Sequence, residues 1–166
     1  ICSATYSRKS FNNKYGVPLS LFNLKTKDDF GVFEVGMDKK GEIDKLTKII
    51  KPEVGVITNI SYAHAKNFKN LKQIALAKSE IMNNIVSGGS IVLNADDSFY
   101  NFHRKIALRK KLKVYSFSMN KKNVRVGLIS VKKEKTKFKV IINIDNQKKY
   151  FFIPSNFKNN IKNLLA

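Results

Sequence analysis

The chain has 166 residues, of which 43% are hydrophobic, enough for one domain with a real core. Its apolar runs are only a few residues long, which excludes a membrane-spanning helix, and Cys2, the sole cysteine, excludes an internal disulfide framework and fits a reducing cytoplasm. The formal net charge of +20 suits a polyanionic partner, yet only four of the 32 basic residues are arginine (Arg8, Arg104, Arg109, Arg125), the side chain that nucleic-acid surfaces favour.

Lysine, asparagine and isoleucine are abundant together and share AT-rich codons, so genomic composition is favoured over a polyanion-binding surface as the source of the charge, and no nucleic-acid partner is expected. The first ten residues, "ICSATYSRKS", carry no initiator Met, no hydrophobic segment and no cleavage pattern, and no signal peptide is expected. "FGVFEVG" (30–36) is a short apolar strand ending in glycine. "GEIDKLTKIIK" (41–51) places Ile43, Leu46, Ile49 and Ile50 at helical spacing, with Pro52 as a stop. "VGVITNI" (54–60) is a second buried strand.

"LKQIALAKSEIMNNIV" (71–86) is a helix whose stripe of Leu71, Ile74, Ala75, Ile81, Met82 and Ile85 faces a core. Lys78 sits in the middle of that stripe, four after Ile74 and three before Ile81. Ser87-Gly88-Gly89 closes the helix, and "SIVLN" (90–94) is a third strand. "DDSFYNFHRKIALRKK" (96–111) is a helix with Phe99, Phe102, His103 and Ile106 inward, and "LKVYSFS" (112–118) is a fourth strand.

Apolar strands alternating with helices predict an α/β fold: a mostly parallel sheet flanked by helices. After about residue 120, "VRVGLISVKK", "KFKVIINID" and "KKYFFIP" alternate as hairpin strands, the last two separated by "NQ" after Asp145. The expectation is one domain over 1–166, with an α/β core at 1–119, a small antiparallel extension at 120–154, and helix resuming over 155–166. No function is assigned to the extension.

In such sheets ligands sit beyond the carboxyl ends of the strands. Glu34, Asn59 and His64 fall there, and Lys78 follows His64 from the inward face of the next helix. A carboxylate, an imidazole and an inward lysine on one crevice would form a metal or phosphate site. Plainer roles exist for each: Glu34 as a strand-end cap or in a salt bridge, His64 as a loop residue, and Lys78 snorkelling or paired with Glu80 or Glu42. "GMDKKGEI" (36–43) has a G-x-x-x-x-G frame, but Glu42 and Ile43 replace the lysine and hydroxyl of a phosphate loop.

Five stretches in this order, "SFNNKYGVPLSLFNL" (10–24), "FEVGMDKKGEI" (33–43), "PEVGVITNISYAH" (52–64), "ALAKSEI" (75–81) and "VLNADD" (92–97), resemble the central domain of the Mur ligases. Within that family "FNNKYGVPLSL" is similar to the branch that joins D-alanyl-D-alanine to a UDP-N-acetylmuramoyl tripeptide. The resemblance implies ATP and Mg²⁺ as cofactors, an acyl-phosphate intermediate, and a cytoplasmic, monomeric full-length enzyme of bacterial peptidoglycan synthesis. It implies that Glu34, His64 and Lys78, the last carbamylated, hold the Mg²⁺ and are catalytic. Asn12, Asn13 and Asn59 would lie near the substrate, and Asn160 and Asn163, in "NNIKNLLA", near the nucleotide.

The family's phosphate loop and its flanking domains are not in this sequence, so the chain alone is expected to be an inactive fragment of a ligase. The competing expectations are another ligase of the superfamily (a folylpolyglutamate synthase or a sister Mur ligase) and a basic nucleic-acid-binding domain. The second leaves Lys78 unexplained.

Overall fold

A computed structural model describes residues 2–62 and 67–166, with the side chains of 158 and 159 left aside. Its residues group into two units, Ile1–Glu53 with Ser61–Val86, and Val54–Ile60 with Ser87–Ala166. Four of the six strand pairings are parallel, which makes this the expected α/β fold with a mostly parallel sheet and helices.

In the first unit a strand not foreseen from the sequence, β1 (Ala4–Tyr6), pairs in parallel with β2 (Phe30–Val32). The strand expected over 30–36 is thus three residues long, and 33–36 run on without ladder bonds. Side chains fasten the pair at its start: the Ser3 hydroxyl donates to the Lys27 carbonyl at 2.8 Å, and the Thr5 hydroxyl donates to Asp28 at 2.5 Å. The Thr5 hydroxyl, the Lys25 amide and nearby Lys25 and Lys27 charges hold the Asp28 carboxyl below its usual value. A depressed carboxylate stabilises the fold above its unfolded pKa, about 3.9, and that support is lost as pH falls through the lower folded value. The expected result is an NMR titration midpoint for the Asp28 carboxyl carbon below that of a free aspartate, shifted upward in Thr5→Ala; equal midpoints would sink it.

Helix α1 (Gly16–Phe22) starts where the Asn13 Oδ1 accepts the Tyr15 and Gly16 amides, both at 3.0 Å, satisfying donors that a helix end leaves open. Helix α2 (Glu42–Ile50) begins after Gly41 at φ +88°, with Glu42 and Asp44 in its first turn, and buries Ile43, Leu46 and Thr47. Ile49, expected inward, is 56% exposed. Thr47 takes the inward position instead, its hydroxyl donating to the Ile43 carbonyl at 2.8 Å. The helix expected over 71–86 is α3 (Leu71–Ser79) followed by a tighter 3₁₀ turn, Glu80–Asn83. Ile74, Ala75, Ala77 and Met82 are buried, whereas Leu71, Ile81 and Ile85 are only half-buried.

In the second unit six strands follow one another across one sheet in chain order: β3 (Val54–Ile57), β4 (Ser90–Asn94), β5 (Lys113–Ser118), β6 (Val126–Glu134), β7 (Lys137–Ile144) and β8 (Gln147–Pro154). The first four are parallel and the last three antiparallel, sharing β6. Strand β3 buries Gly55 and Ile57 but exposes Val54 and Val56, so it is half-buried rather than buried throughout. Helix α4 (Tyr100–Arg109) makes the crossover from β4 to β5 and buries His103 and Ala107. The β7–β8 turn is Asp145-Asn146, both left-handed at φ 48° and 66°, one residue earlier than the expected "NQ". Behind the hairpins, Phe117, Val140, Ile142 and Ile153 form a core with Ile161 and Leu165 from the last helix, α5 (Ile161–Leu164), and its end.

The "NADD" stretch, 94–97, ties the strand ends of this unit together. Asn94 donates to the Thr58 carbonyl at 2.9 Å, Asp97 accepts the Ile60 amide at 2.7 Å, and Asp96 accepts the Met119 amide at 2.7 Å. Both carboxylates are anchors of backbone.

Candidate functional site

Glu34 lies two residues past β2, where the chain has left the ladder and its side chain is exposed. Backbone and side chains from residues 7–12 fix it there. Ser7 donates its amide to the Val32 carbonyl at 3.0 Å and accepts the Glu34 amide on Oγ at 3.2 Å. Asn12 Nδ2 donates to Glu34 Oε1 at 2.8 Å, and the Asn12 carbonyl accepts the Gly36 amide at 2.7 Å. Two of the residues singled out in the sequence, Glu34 and Asn12, therefore meet directly. Asn13 beside them has its Oδ1 occupied in capping α1.

Lys78 stands in the last turn of α3 and is half-buried, on a helix that buries Ile74, Ala75, Ala77 and Ser79. Both ends of that helix are fixed. At the start the Asn70 Oδ1 accepts the Gln73 amide at 3.0 Å while Gln73 Oε1 accepts the Lys69 amide at 2.9 Å, a reciprocal cap. At the end, Glu80 is 9% exposed and turns its carboxylate onto the amino end of α2, accepting the Gly41 amide at 2.8 and 2.9 Å and the Asp44 amide at 3.3 Å. Glu42 accepts the Asp38 and Lys39 amides at 2.6 and 3.0 Å, which lowers its pKa. Both acids considered as partners of Lys78 are thus bound to backbone amides.

His64 lies outside the described residues. Asn59, half-buried two residues past β3, accepts the Thr58 hydroxyl on Oδ1 at 3.3 Å. Asn160 and Asn163 are exposed, at the start of α5 and within it. Among the described residues no group of three or more His, Cys, Asp and Glu could hold a metal ion. The Glu34 carboxylate is nonetheless of the kind a hard cation takes: an oxygen donor, bonded to a neutral amide and, among the described residues, in no ion pair.

Sequence reasoning missed three things: the Asn12–Glu34 bond, the Glu80 anchor and the roles of Asp96 and Asp97. None left a usable sign in the sequence: at helical spacing Glu80 falls on the side opposite the stripe that carries Lys78.

Residues 2–166 match the family model of the Mur ligase middle domain. The chain is 33% identical over 168 residues to a UDP-N-acetylmuramoyl-tripeptide–D-alanyl-D-alanine ligase of Rickettsia prowazekii, covering 96% of this chain and 36% of that one. It is 32% identical to the ligase of the same name from Buchnera aphidicola of Baizongia pistaciae, covering 99% of this chain and 35% of the relative. A crystal structure of MurF from Acinetobacter baumannii superposes with a TM-score of 0.87 at 27% identity, over 99% of this chain and 35% of that chain. The chain therefore spans about a third of the length of these relatives.

Proposed function

The chain belongs to the Mur ligase middle-domain family, and from that premise we propose that it is the central part of an ATP-dependent ligase joining D-alanyl-D-alanine to a UDP-N-acetylmuramoyl tripeptide. In this reading the γ-phosphoryl group of ATP passes to the tripeptide carboxylate, releasing ADP. The amine of D-alanyl-D-alanine attacks the acyl carbon, phosphate leaves, and the nitrogen gives up a proton to leave an amide. A cytoplasmic, monomeric full-length enzyme belongs to the same proposal; no helix of the described residues is long and apolar enough to cross a membrane.

The observation that carries the reading is Glu34, a carboxylate fixed at the end of a parallel strand by Asn12. Glu34, His64 and Lys78 would hold Mg²⁺, which when bound draws charge from the transferring phosphoryl group. Lys78 as an ammonium would repel that cation. Addition of its neutral amine to CO₂, with loss of a proton, gives a carbamate whose oxygens suit a hard metal, and partial burial on an apolar stripe favours the neutral amine that the addition needs. Asn59 would stand near the acceptor, and Asn160 and Asn163 near ATP. The chain by itself would be inactive, because the substrate would be held by parts of the ligase outside it.

The test is phosphate release by the complete natural protein, supplied with ATP, the UDP-linked tripeptide and D-alanyl-D-alanine. Release that requires both acceptor and dipeptide is the expected result. Turnover with another acceptor or amine would make it a sister ligase. Steeply salt-dependent binding to nucleic acid without turnover would transfer the function to the basic surface.

A further inference from the structure

Asn12 is half-buried, and residues 34–36 hold it from two directions. Its Nδ2 donates to Glu34 Oε1 at 2.8 Å, and its carbonyl accepts the Gly36 amide at 2.7 Å. A Cβ added to Gly36 would lie 2.9 Å from the Asn12 Cγ and 3.1 Å from its Nδ2 and Oδ1. The amide is thus pressed between the bare Gly36 Cα and the Glu34 carboxylate, with no room to swing away towards Gly36.

Among the described residues no other hydrogen bond or ion pair reaches that carboxylate, although the chain has 32 basic residues. Ordering an exposed glutamate costs rotamer entropy, about 1–2 kcal/mol, and a single neutral hydrogen bond returns about the same. The bond therefore adds little net stability. What it does supply is direction: Oε1 is tethered by a donor that carries no charge of its own, and this tether orients the second oxygen. Outer donors do this for carboxylates that ligate metals.

We infer that Asn12 is a positioning residue that orients Glu34 Oε2 toward a divalent cation, and that position 36 is glycine because a side chain there would displace the Asn12 amide. This rests on the proposed role of Glu34 and goes beyond it by assigning the Asn12 side chain to the carboxylate rather than to the substrate.

The experiment is a titration of the complete protein with Mn²⁺ in the presence of ADP, followed by the Mn²⁺ EPR signal, alongside steady-state kinetics. Asn12→Ala should weaken Mn²⁺ about 10- to 100-fold, the range for lost outer-shell donors, and leave the KM for the tripeptide and for D-alanyl-D-alanine within about twofold. Gly36→Ala should weaken Mn²⁺ in the same direction although Asn12 is still present. If Asn12→Ala melts too low to be titrated, Gly36→Ala decides by the same measurement. Unchanged Mn²⁺ affinity with a raised tripeptide KM overturns the inference and makes Asn12 a substrate contact. Glu34→Gln separates the two levels. Weakened Mn²⁺ in Glu34→Gln but not in the other two variants defeats the positioning role alone, and no weakening in any of them defeats the metal role of Glu34 as well.

Discussion

In the complete ligase, Lys78→Ala lowers turnover about 10²- to 10³-fold, the usual cost of removing one charge-stabilising group from a transferring centre, and Lys78→Arg restores none of it. Position is what sets this expectation. Lys78 is half-buried on a helix that buries Ile74, Ala75, Ala77 and Ser79, in a chain with 32 basic residues for its surface. If the side chain served only as a positive charge against phosphate, arginine would keep that charge and recover much of the rate. If it serves as a carbamate, arginine fails outright, because a guanidinium stays protonated and cannot take up CO₂. The measurement is kcat of the three proteins with and without added bicarbonate, in buffers stripped of CO₂. Bicarbonate dependence confined to the lysine enzyme is the expected pattern; an arginine variant within about threefold of the parent would end the carbamate reading.

What could be read from the sequence, and what could not, follows from the range of the forces involved. The α2 helix and the strands β4 and β5 were legible because hydrophobic period and the Gly and Pro stops are local signals, and they landed within a residue or two of Glu42–Ile50, Ser90–Asn94 and Lys113–Ser118. Strand β1 was invisible: "ATY" is three residues with no apolar run, and it exists because Ala4–Tyr6 pairs with Phe30–Val32, a partner 26 positions away. The break of α3 at Ser79 had the same kind of cause. The stripe continues in sequence to Ile85, but binding of the Glu80 carboxylate to the amides at Gly41 and Asp44 coincides with a tighter turn there. Glu34 stood out in the sequence through its place at a strand end and Lys78 through its place on a stripe, whereas Asn12 entered only through the family resemblance; their service as a site is a proposal. That Asn12 touches Glu34 was not legible, since the contact depends on a glycine two residues after Glu34 having no side chain.

Glu80→Ala destabilises the first unit by about 2–4 kcal/mol, and Glu80→Gln by about 1 kcal/mol. Glu80 is 9% exposed, and its carboxylate accepts three contacts from two amides at the start of α2, where the helix dipole favours negative charge. Alanine removes the acceptor and leaves the Gly41 amide without its partner in a partly buried place. Glutamine retains one acceptor oxygen and loses the charge. Gly41→Ala isolates the backbone part: its Cβ would meet nothing within 4 Å, so its cost of about 1–2 kcal/mol arises from φ +88° alone. Urea midpoints should rise in the order Glu80→Ala, Gly41→Ala, Glu80→Gln, with equal m-values. Because Lys78 is two residues from this anchor, the Glu80→Ala ligase should also lose turnover at temperatures where it is still folded, and Glu80→Gln should keep most of it. If Glu80→Ala unfolds within about 0.5 kcal/mol of the parent, the scatter of ordinary surface substitutions, water replaces the carboxylate freely at the helix end. The buried Ile74, Ala75, Ala77 and Met82, rather than the Glu80 anchor, then account for the stability of this region.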